Sequence, residues 1–403
     1  MNRGLRNTLL GCLGLFAITA PFIWFRLDYN TTAQTVELIP ALSKGVKFFQ
    51  GLLPVFIALA ACFAWQRLQK KISIPAAAQR SGQWLARQQQ NPLLLPAAGL
   101  LLFSATFWLD AKNLNYAVTV GIFMLQALGL NITTGMTGLL VLGYAGFYAF
   151  GGYAFAIAQI LIPGLPWWAA LPFVFLAGGI LGWLVGLPCL RLRGDYLAIV
   201  TLGFAESFRE LMRNLEITGG DKGISLAASS KFQGMLGLNG LQSSYVFTLL
   251  AVILSVFFIY RIYHSAIGRA WIAIREDEIA ASSMGVPVVR MKLLAFALSA
   301  AFAALAGQFT ACHVGFIDPA SSAFEQSVIV LAMVILGGMG SIPGVLLGST
   351  LLYLIPTLLR DQFPSISDYR LLIFGIIMVV MMLYRPQGLW GSKRHQLELK
   401  AGS

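Results

Sequence analysis

Residues 167–190 read WWAALPFVFLAGGILGWLVGLPCL, and none of them carries a charge. Wound as a helix, a run of this length exceeds the ~30 Å hydrocarbon core of a bilayer. Further apolar runs occupy 8–25, 46–65, 92–109, 114–130, 138–161, 195–211, 243–263, 292–312, 326–338, 344–359 and 370–385. Together they predict an all-α polytopic membrane protein with about 10–12 transmembrane or part-spanning helices. A transmembrane barrel would need short alternating strands, and these runs are long and continuous.

Composition points the same way. Of 403 residues, 58% are hydrophobic and 11% charged, against roughly 45–50% and about 25% in soluble domains. Mean hydropathy is +0.75. A soluble enzyme, a disordered chain and a secreted disulfide scaffold are all poor fits to these values. The net charge of +12 would suggest nucleic acid in a soluble protein. Here the basic residues sit at span ends and not in one stripe, so no nucleic-acid partner is expected. Cys12, Cys62, Cys189 and Cys312 lie in or beside apolar runs without a CxxC pair, and read as membrane-buried packing residues. His264, His313 and His395 are too scattered for a metal site to be expected, so the metal expectation is none.

Lys and Arg set the orientation. Arg67, Lys70, Lys71, Arg80 and Arg87 occupy 66–91 without an acid. Arg191 and Arg193, then Arg261, Arg269, Arg275, Arg290 and Lys292, and finally Arg385, Lys393, Arg394 and Lys400 mark further basic ends. With Arg3 and Arg6, an even number of crossings with both termini cytoplasmic satisfies all of them. The first run mimics a signal peptide, with Ala17-Ile18-Thr19-Ala20 as a cleavage site. Pro21 disfavours the cut and the run continues through Trp24 and Phe25, so it reads as a retained helix. Residues 1–91 read as a two-span extension with a basic cytoplasmic linker, 92–390 as the core, and 391–403 as a cytoplasmic tail.

Two runs are doubtful as full spans. Segment 195–211 is apolar only to Phe204 and then carries Glu206, Arg209 and Glu210, with Arg213 following. The i,i+3 and i,i+4 spacing lets these groups pair, as a structural ion-pair network or as an intramembrane functional site. Segment 326–338 is short and ends in Gly337-Gly338-Met339-Gly340-Ser341. Broken helices are tolerated in a membrane only where protein or water covers them, and transporters place them at their pathways. A second Gly-rich stretch runs from Gly129 through Asn131, Thr133, Thr134, Gly135 and Gly138 to Gly143, Gly146, Gly151 and Gly152. It reads either as close helix packing or as a broken helix beside a transport path. Asn131, Thr133 and Thr134 are expected to face protein or water, not lipid. These, with Gly135, Gly143, Gly146, Gly337, Gly338 and Gly340, are the candidate pathway residues.

No G-x-x-x-x-G-K-[ST] phosphate loop occurs. Gly219-Gly220-Asp221-Lys222-Gly223 lacks the spacing, and no Ser or Cys nucleophile has a recognisable setting. The chain is therefore expected to hydrolyse nothing. The largest polar segment between two good spans of the C-terminal half is Ser265–Lys292, containing Arg269, Arg275, Glu276, Asp277, Glu278, Ala280, Ala281 and Gly285. Residues 276–284 suit one short helix, with acids at its start and Gly285 as its stop. Its small residues Ala280, Ala281 and Ser282 would form a surface for docking into another protein. An ordinary surface loop is the other reading.

Ala280-Ala281-x-x-x-Gly285 resembles the EAA-type coupling loop of ABC importer permeases, with Ile279 in the usual Glu place and the acid at Glu278. Leu190-Arg191-Leu192-Arg193-Gly194-Asp195-Tyr196-Leu197 and its continuation to Phe204 resemble the LivM branched-chain amino acid permease family. So do Ala127–Asn131, Leu142–Tyr148, Ile217–Gly220, Leu336–Ser341 and Arg385–Leu389. The resemblance covers roughly 114–390 in order. It implies a permease subunit of a bacterial inner-membrane ABC importer for leucine, isoleucine or valine, supplying half of the pathway. The implied partners are a LivH-like second permease, two cytoplasmic LivG- and LivF-like ATPases carrying ATP and Mg, a periplasmic amino-acid-binding protein, and the membrane lipid around the permeases. No cofactor is implied on this chain. A permease for another nutrient, or an ion-coupled secondary transporter, is the alternative. The latter would need acids deep in spans, and 138–161, 167–190, 292–312, 344–359 and 370–385 have none.

Overall fold

The computed structural model describes residues 25–30, 35–40, 110–189, 195–226, 240–362 and 388–389. The chain divides into two compact units, Met1–Leu94 and Leu95–Ser403. In the first, β1 (Phe25–Asn30) and β2 (Thr35–Pro40) pair antiparallel, with Phe25 opposite Pro40. Apart from Phe25, which opens β1, the predicted runs 8–25, 46–65 and 92–109 lie outside the described residues, as does 370–385.

The second unit is helical. α1 (Ala111–Leu130) passes into a π-turn (Asn131–Met136). α2 (Tyr144–Leu161), α3 (Trp167–Cys189), α4 (Asp195–Asn214) and α5 (Gly240–Tyr263) follow. The polar segment forms α6 (Ala266–Glu276) and α7 (Glu278–Ser283). α8 (Val288–Val314), α9 (Phe324–Gly337) and α10 (Ile342–Gln362) complete the order. A two-residue ladder pairs β3 (Ile224–Ser225) with β4 (Phe316–Ile317). Among the described residues, five helical stretches are long and apolar enough to cross a membrane: Ala111–Met136, Tyr144–Leu161, Trp167–Pro188, Gly240–Tyr263 and Val288–Val314. The chain is a multi-pass membrane protein of all-α class. α4, expected to be a doubtful span, is helical but amphipathic, with Ser207, Glu210, Arg213 and Asn214 exposed and Leu197, Ala198, Thr201, Ala205, Phe208 and Met212 buried.

Burial orders the bundle. In the most apolar 18 consecutive residues of Ala111–Met136, 83% are buried, whereas in those of α3 and of α5 28% are. α1 is therefore the axial helix, and α3 and α5 present Trp168, Phe173, Leu176, Ile180, Leu250, Leu254 and Phe257 outward, as lipid-facing helices do. α8 lies between α2 and α3 on seams of small residues. A Cβ on Gly182 would stand 3.0 Å from the Phe296 carbonyl oxygen, and one on Gly178 3.2 Å from that of Ala300. This Gly178-x-x-x-Gly182 spacing is the means by which helices approach closely where lipid supplies no hydrophobic drive. Phe147 stacks on Phe204 at 4.9 Å and meets Phe296 edge-on at 5.7 Å, which joins α2 to α4 and α8.

The expected continuous run over 138–161 is corrected. Residues 137–143 are not helical, and α2 starts at Tyr144. Gly138 adopts φ +74°, a conformation that ends a right-handed helix. The helix hydrogen bonds lost there are replaced from a distance. Thr201 Oγ1 accepts from Leu142 N at 3.2 Å and Gly143 N at 3.4 Å, and donates to the Ala198 carbonyl.

Candidate functional site

The polar segment is held rigidly to the bundle. Ser265 caps α6 by accepting from Ile267 N. Trp271 is fully buried, and its Nε1 donates to the Met291 carbonyl at 2.8 Å. Ile274 is buried on the same face of α6. The expected single helix over 276–284 is corrected to two. Glu276 ends α6, and Asp277 stands extended between the helices. Its Oδ1 accepts from Ile279 N at 2.8 Å and Ala280 N at 2.9 Å, so the side chain starts a new helix instead of continuing the old one. Gly285 follows α7 with φ +82° and open space around it, as a helix stop requires.

Placement of the docking residues differs from expectation at one position. Ala281 is 5% exposed and packs with Ile274 and Val288, so it faces the bundle and not a partner. On a helix this short, one face must be spent on attachment. Ala280, Ser282 and Ser283 are exposed, and beside them Ile279 is 72% and Met284 84% exposed. These two apolar side chains were not singled out in the sequence. Their signal was available, since Ile279 occupies the place of an acid in the coupling-loop pattern. Glu278 Oε2 accepts from Lys292 Nζ at 2.6 Å, with the Lys292 side chain only 10% exposed. The pair ties α7 to the start of α8, at its fifth residue. Arg269 is exposed and donates to the His264 carbonyl at 3.3 Å.

The candidate pathway residues meet at two chain breaks. One is the π-turn with 137–143, the other is 338–341 between α9 and α10. Asn131 Oδ1 accepts from Gly340 N at 2.8 Å, bridging the two. Thr133 exchanges a hydroxyl hydrogen bond of 3.2 Å with Ser299 of α8, and its carbonyl accepts from Leu139 N and Thr137 Oγ1. Gly338 and Gly340 have φ +113° and +79°, and Leu389 N donates to the Leu336 carbonyl at 2.8 Å. Arg275 reaches into the same cluster, donating from Nη1 to the Gly135 carbonyl at 2.7 Å. Asn131, Gly135 and Gly340 are thus drawn together with Arg275, whereas Gly337 packs against Gly344 and Val345 of α10 and Gly338 lies beside Gly388. Gly143 and Gly146 instead seat α2 on α4, where a Cβ on Gly143 would overlap the Thr201 carbonyl and one on Gly146 would lie 3.0 Å from Ala205 Cα.

Two buried groups in this cluster, Asn131 Nδ2 and Thr134 Oγ1, have no hydrogen-bond partner among the described residues. Buried polar atoms are ordinarily satisfied, so the position suits water or a polar solute. Thr201, Ser299 and Ser327, whose Oγ accepts from Ala145 N at 2.9 Å, were missed in the sequence. A hydroxyl inside an apolar run was the available sign.

The charged cluster of α4 forms the expected i,i+3 pairs. Arg209 meets Glu206 at 3.2 Å and Arg213 meets Glu210 at 3.6 Å. Arg213 also meets Asp221 at 2.6 Å, and this guanidinium holds the Asp221 carboxyl below the ordinary carboxylate range. Outward from this helix face Tyr196, Ile199, Gly203, Ser207 and Glu210.

Residues 113–382 match the family described as branched-chain amino acid transport system / permease component. The chain is 41% identical to the high-affinity branched-chain amino acid transport system permease protein LivM of Salmonella typhimurium, over 96% of this chain and 95% of the relative. It is 38% identical to LivM of Escherichia coli, over 98% and 96%. It is also 26% identical to LivH of Salmonella typhimurium, the permease protein of the same named transport system, over 68% of this chain and 93% of the relative. No solved structure matches the chain.

Proposed function

The chain belongs to the branched-chain amino acid transport system permease family, and from that premise we propose that it carries leucine, isoleucine or valine inward as one of two homologous permease subunits. Its relatives include both LivM and LivH proteins, which supports a paired second permease. The substrate is delivered by a periplasmic binding protein. Two cytoplasmic ATPases bind ATP and Mg and drive the cycle, while this chain is a non-catalytic transport subunit. Residues 1–91 form an accessory two-span extension and 391–403 a cytoplasmic tail. The membrane is the bacterial inner membrane, with both termini cytoplasmic.

The observation that carries this reading is α7. It is short, anchored by the Glu278–Lys292 pair and by buried Ala281, yet it offers Ile279 and Met284 to solvent. An exposed apolar pair on a rigid mount is what a partner protein would bury. The outer half of α4 supports the pathway. Ser207 and Glu210 face outward, and lipid would penalise them. That face turns toward the second permease and the aqueous seam between them.

Vesicles containing this chain, the second permease and both ATPases should accumulate labelled leucine only when ATP and the binding protein are supplied. Accumulation by this chain alone on an ion gradient would overturn the reading in favour of a secondary transporter. Orientation has its own test. In a chain whose four native cysteines are replaced, Ser283→Cys should react with an impermeant maleimide only from the cytoplasmic side. Ala320→Cys, exposed beyond the far end of α8, should react only from the periplasm. Reversed labelling would invert the assigned topology.

A further inference from the structure

The Arg275 side chain leaves the end of α6 and enters the bundle, away from α7. Its Nη1 donates to the Gly135 carbonyl at 2.7 Å. That carbonyl lies at the end of the α1 and π-turn path, where helix carbonyls lack an intrahelical N–H and favour a cation. Two glycines with positive φ shape the slot. A Cβ at Gly138 would lie 3.2 Å from Arg275 Cγ, and one at Gly340 would lie 3.3 Å from Nη1. The Gly340 amide is in turn held by Asn131 Oδ1 at 2.8 Å. One guanidinium therefore bonds the first chain break and lies against the space a side chain at Gly340 would fill in the second, more than 200 residues away in sequence. In the same C-terminal half of α6, buried Trp271 and Ile274 fix the helix to α8.

We propose that Arg275 is a positioning residue that transmits displacement of the α6–α7 unit to the two chain breaks at once. This rests on reading α7 as the helix that receives force from an ATPase. The backbone at 137–143 and 338–341 has no helix to stiffen it, so a rigid charge-assisted bond at Gly135 moves the first directly and, through the Asn131–Gly340 hydrogen bond, the second. The stem, enclosed at Gly138, leaves little slack to absorb the motion.

The test uses the complete complex in vesicles and reads leucine accumulated per ATP hydrolysed. Arg275→Met keeps the stem and removes the donors. Assembly and ATP hydrolysis should stay within about twofold, while leucine per ATP falls at least about tenfold, the scale of a lost hydrogen bond to a charged group. Arg275→Lys should restore part of the ratio, since an ammonium can still donate to Gly135. An unchanged ratio, or hydrolysis and uptake falling in equal proportion, overturns the proposal. A wild-type complex that does not couple ATP to leucine would sink the functional reading instead. The latch is then read in the chain alone. Arg275→Met should raise amide hydrogen exchange across 135–142 and 338–341 without raising it in α8. Unchanged exchange at those breaks overturns the latch whatever the substrate. Should the Met variant not insert, Arg275→Gln is read by the same two measurements.

Discussion

Replacing both Ile279 and Met284 with glutamate should abolish leucine uptake while leaving the chain inserted and folded. These two side chains are the most exposed apolar groups on the α6–α7 unit. Burying a Leu-, Ile- or Met-sized side chain is worth roughly 1.5–3 kcal/mol. Losing two such contacts removes about 3–6 kcal/mol from docking, a 100-fold or greater loss of affinity at about 1.4 kcal/mol per tenfold. Two carboxylates placed in the same contact add a desolvation penalty. Neither position packs on the bundle, so the thermal unfolding midpoint of the purified chain should not move. Co-purification of the ATPases measures docking directly. Retention of both ATPases at wild-type yield, with normal uptake, would remove α7 from the docking surface. Ala281→Arg is a poorer test of the same idea. Ala281 faces Ile274 and Val288, so an arginine there would disturb the mount and the docking face together.

Gly143→Ala should also abolish uptake, through the fold. Its methyl would overlap the Thr201 carbonyl, with the Leu202 amide nitrogen 3.1 Å away. These are backbone atoms of α4 and cannot rotate aside, so α4 must move off α2. That movement also breaks the hydrogen bonds from Leu142 N and Gly143 N to Thr201 Oγ1. Overpacking of this kind costs about 1–3 kcal/mol, and each freed buried amide adds about 1–3 kcal/mol. The purified variant should unfold at a clearly lower temperature and insert in reduced amount. Gly203→Ala is the control, because nothing lies within 4 Å of a Cβ there. It should leave the midpoint unchanged or slightly raised, alanine being the better helix residue. Equal midpoints for Gly143→Ala and wild type would mean that 137–143 is not seated on α4 as described.

Much of the helical layout was legible in the sequence. Apolar length alone located α3, α5, α8 and α9 to within a few residues at each end, because the cost of placing backbone and charge in hydrocarbon depends on local composition. The i,i+3 pairs of α4 and the positive φ of Gly285 were legible for the same reason, since both depend on neighbours within one turn. The Gly-rich stretch 129–152 offered a broken helix as one of two readings, but the position of the gap at 137–143 was not legible. Its apolar side chains read as a continuation of α2, and the Thr201 hydroxyl that makes the break tolerable lies 58 and 59 positions away from the amides it serves.

Within the candidate site, sequence by itself determined which residues were unusual: the glycines, Asn131, Thr133, Thr134 and the charges of 269–278. Tertiary structure alone decided what they do to one another. Asn131 meets Gly340 across 209 positions and Arg275 meets Gly135 across 140, and no local pattern encodes either pairing. It also decided that Ala281 turns inward while Ile279 and Met284 turn out, because the face a six-residue helix buries is set by where α6 and α8 hold it. Transfer energies and helix periodicity act along the chain, whereas the partner of a freed carbonyl or amide is chosen by which helices the bundle brings beside it.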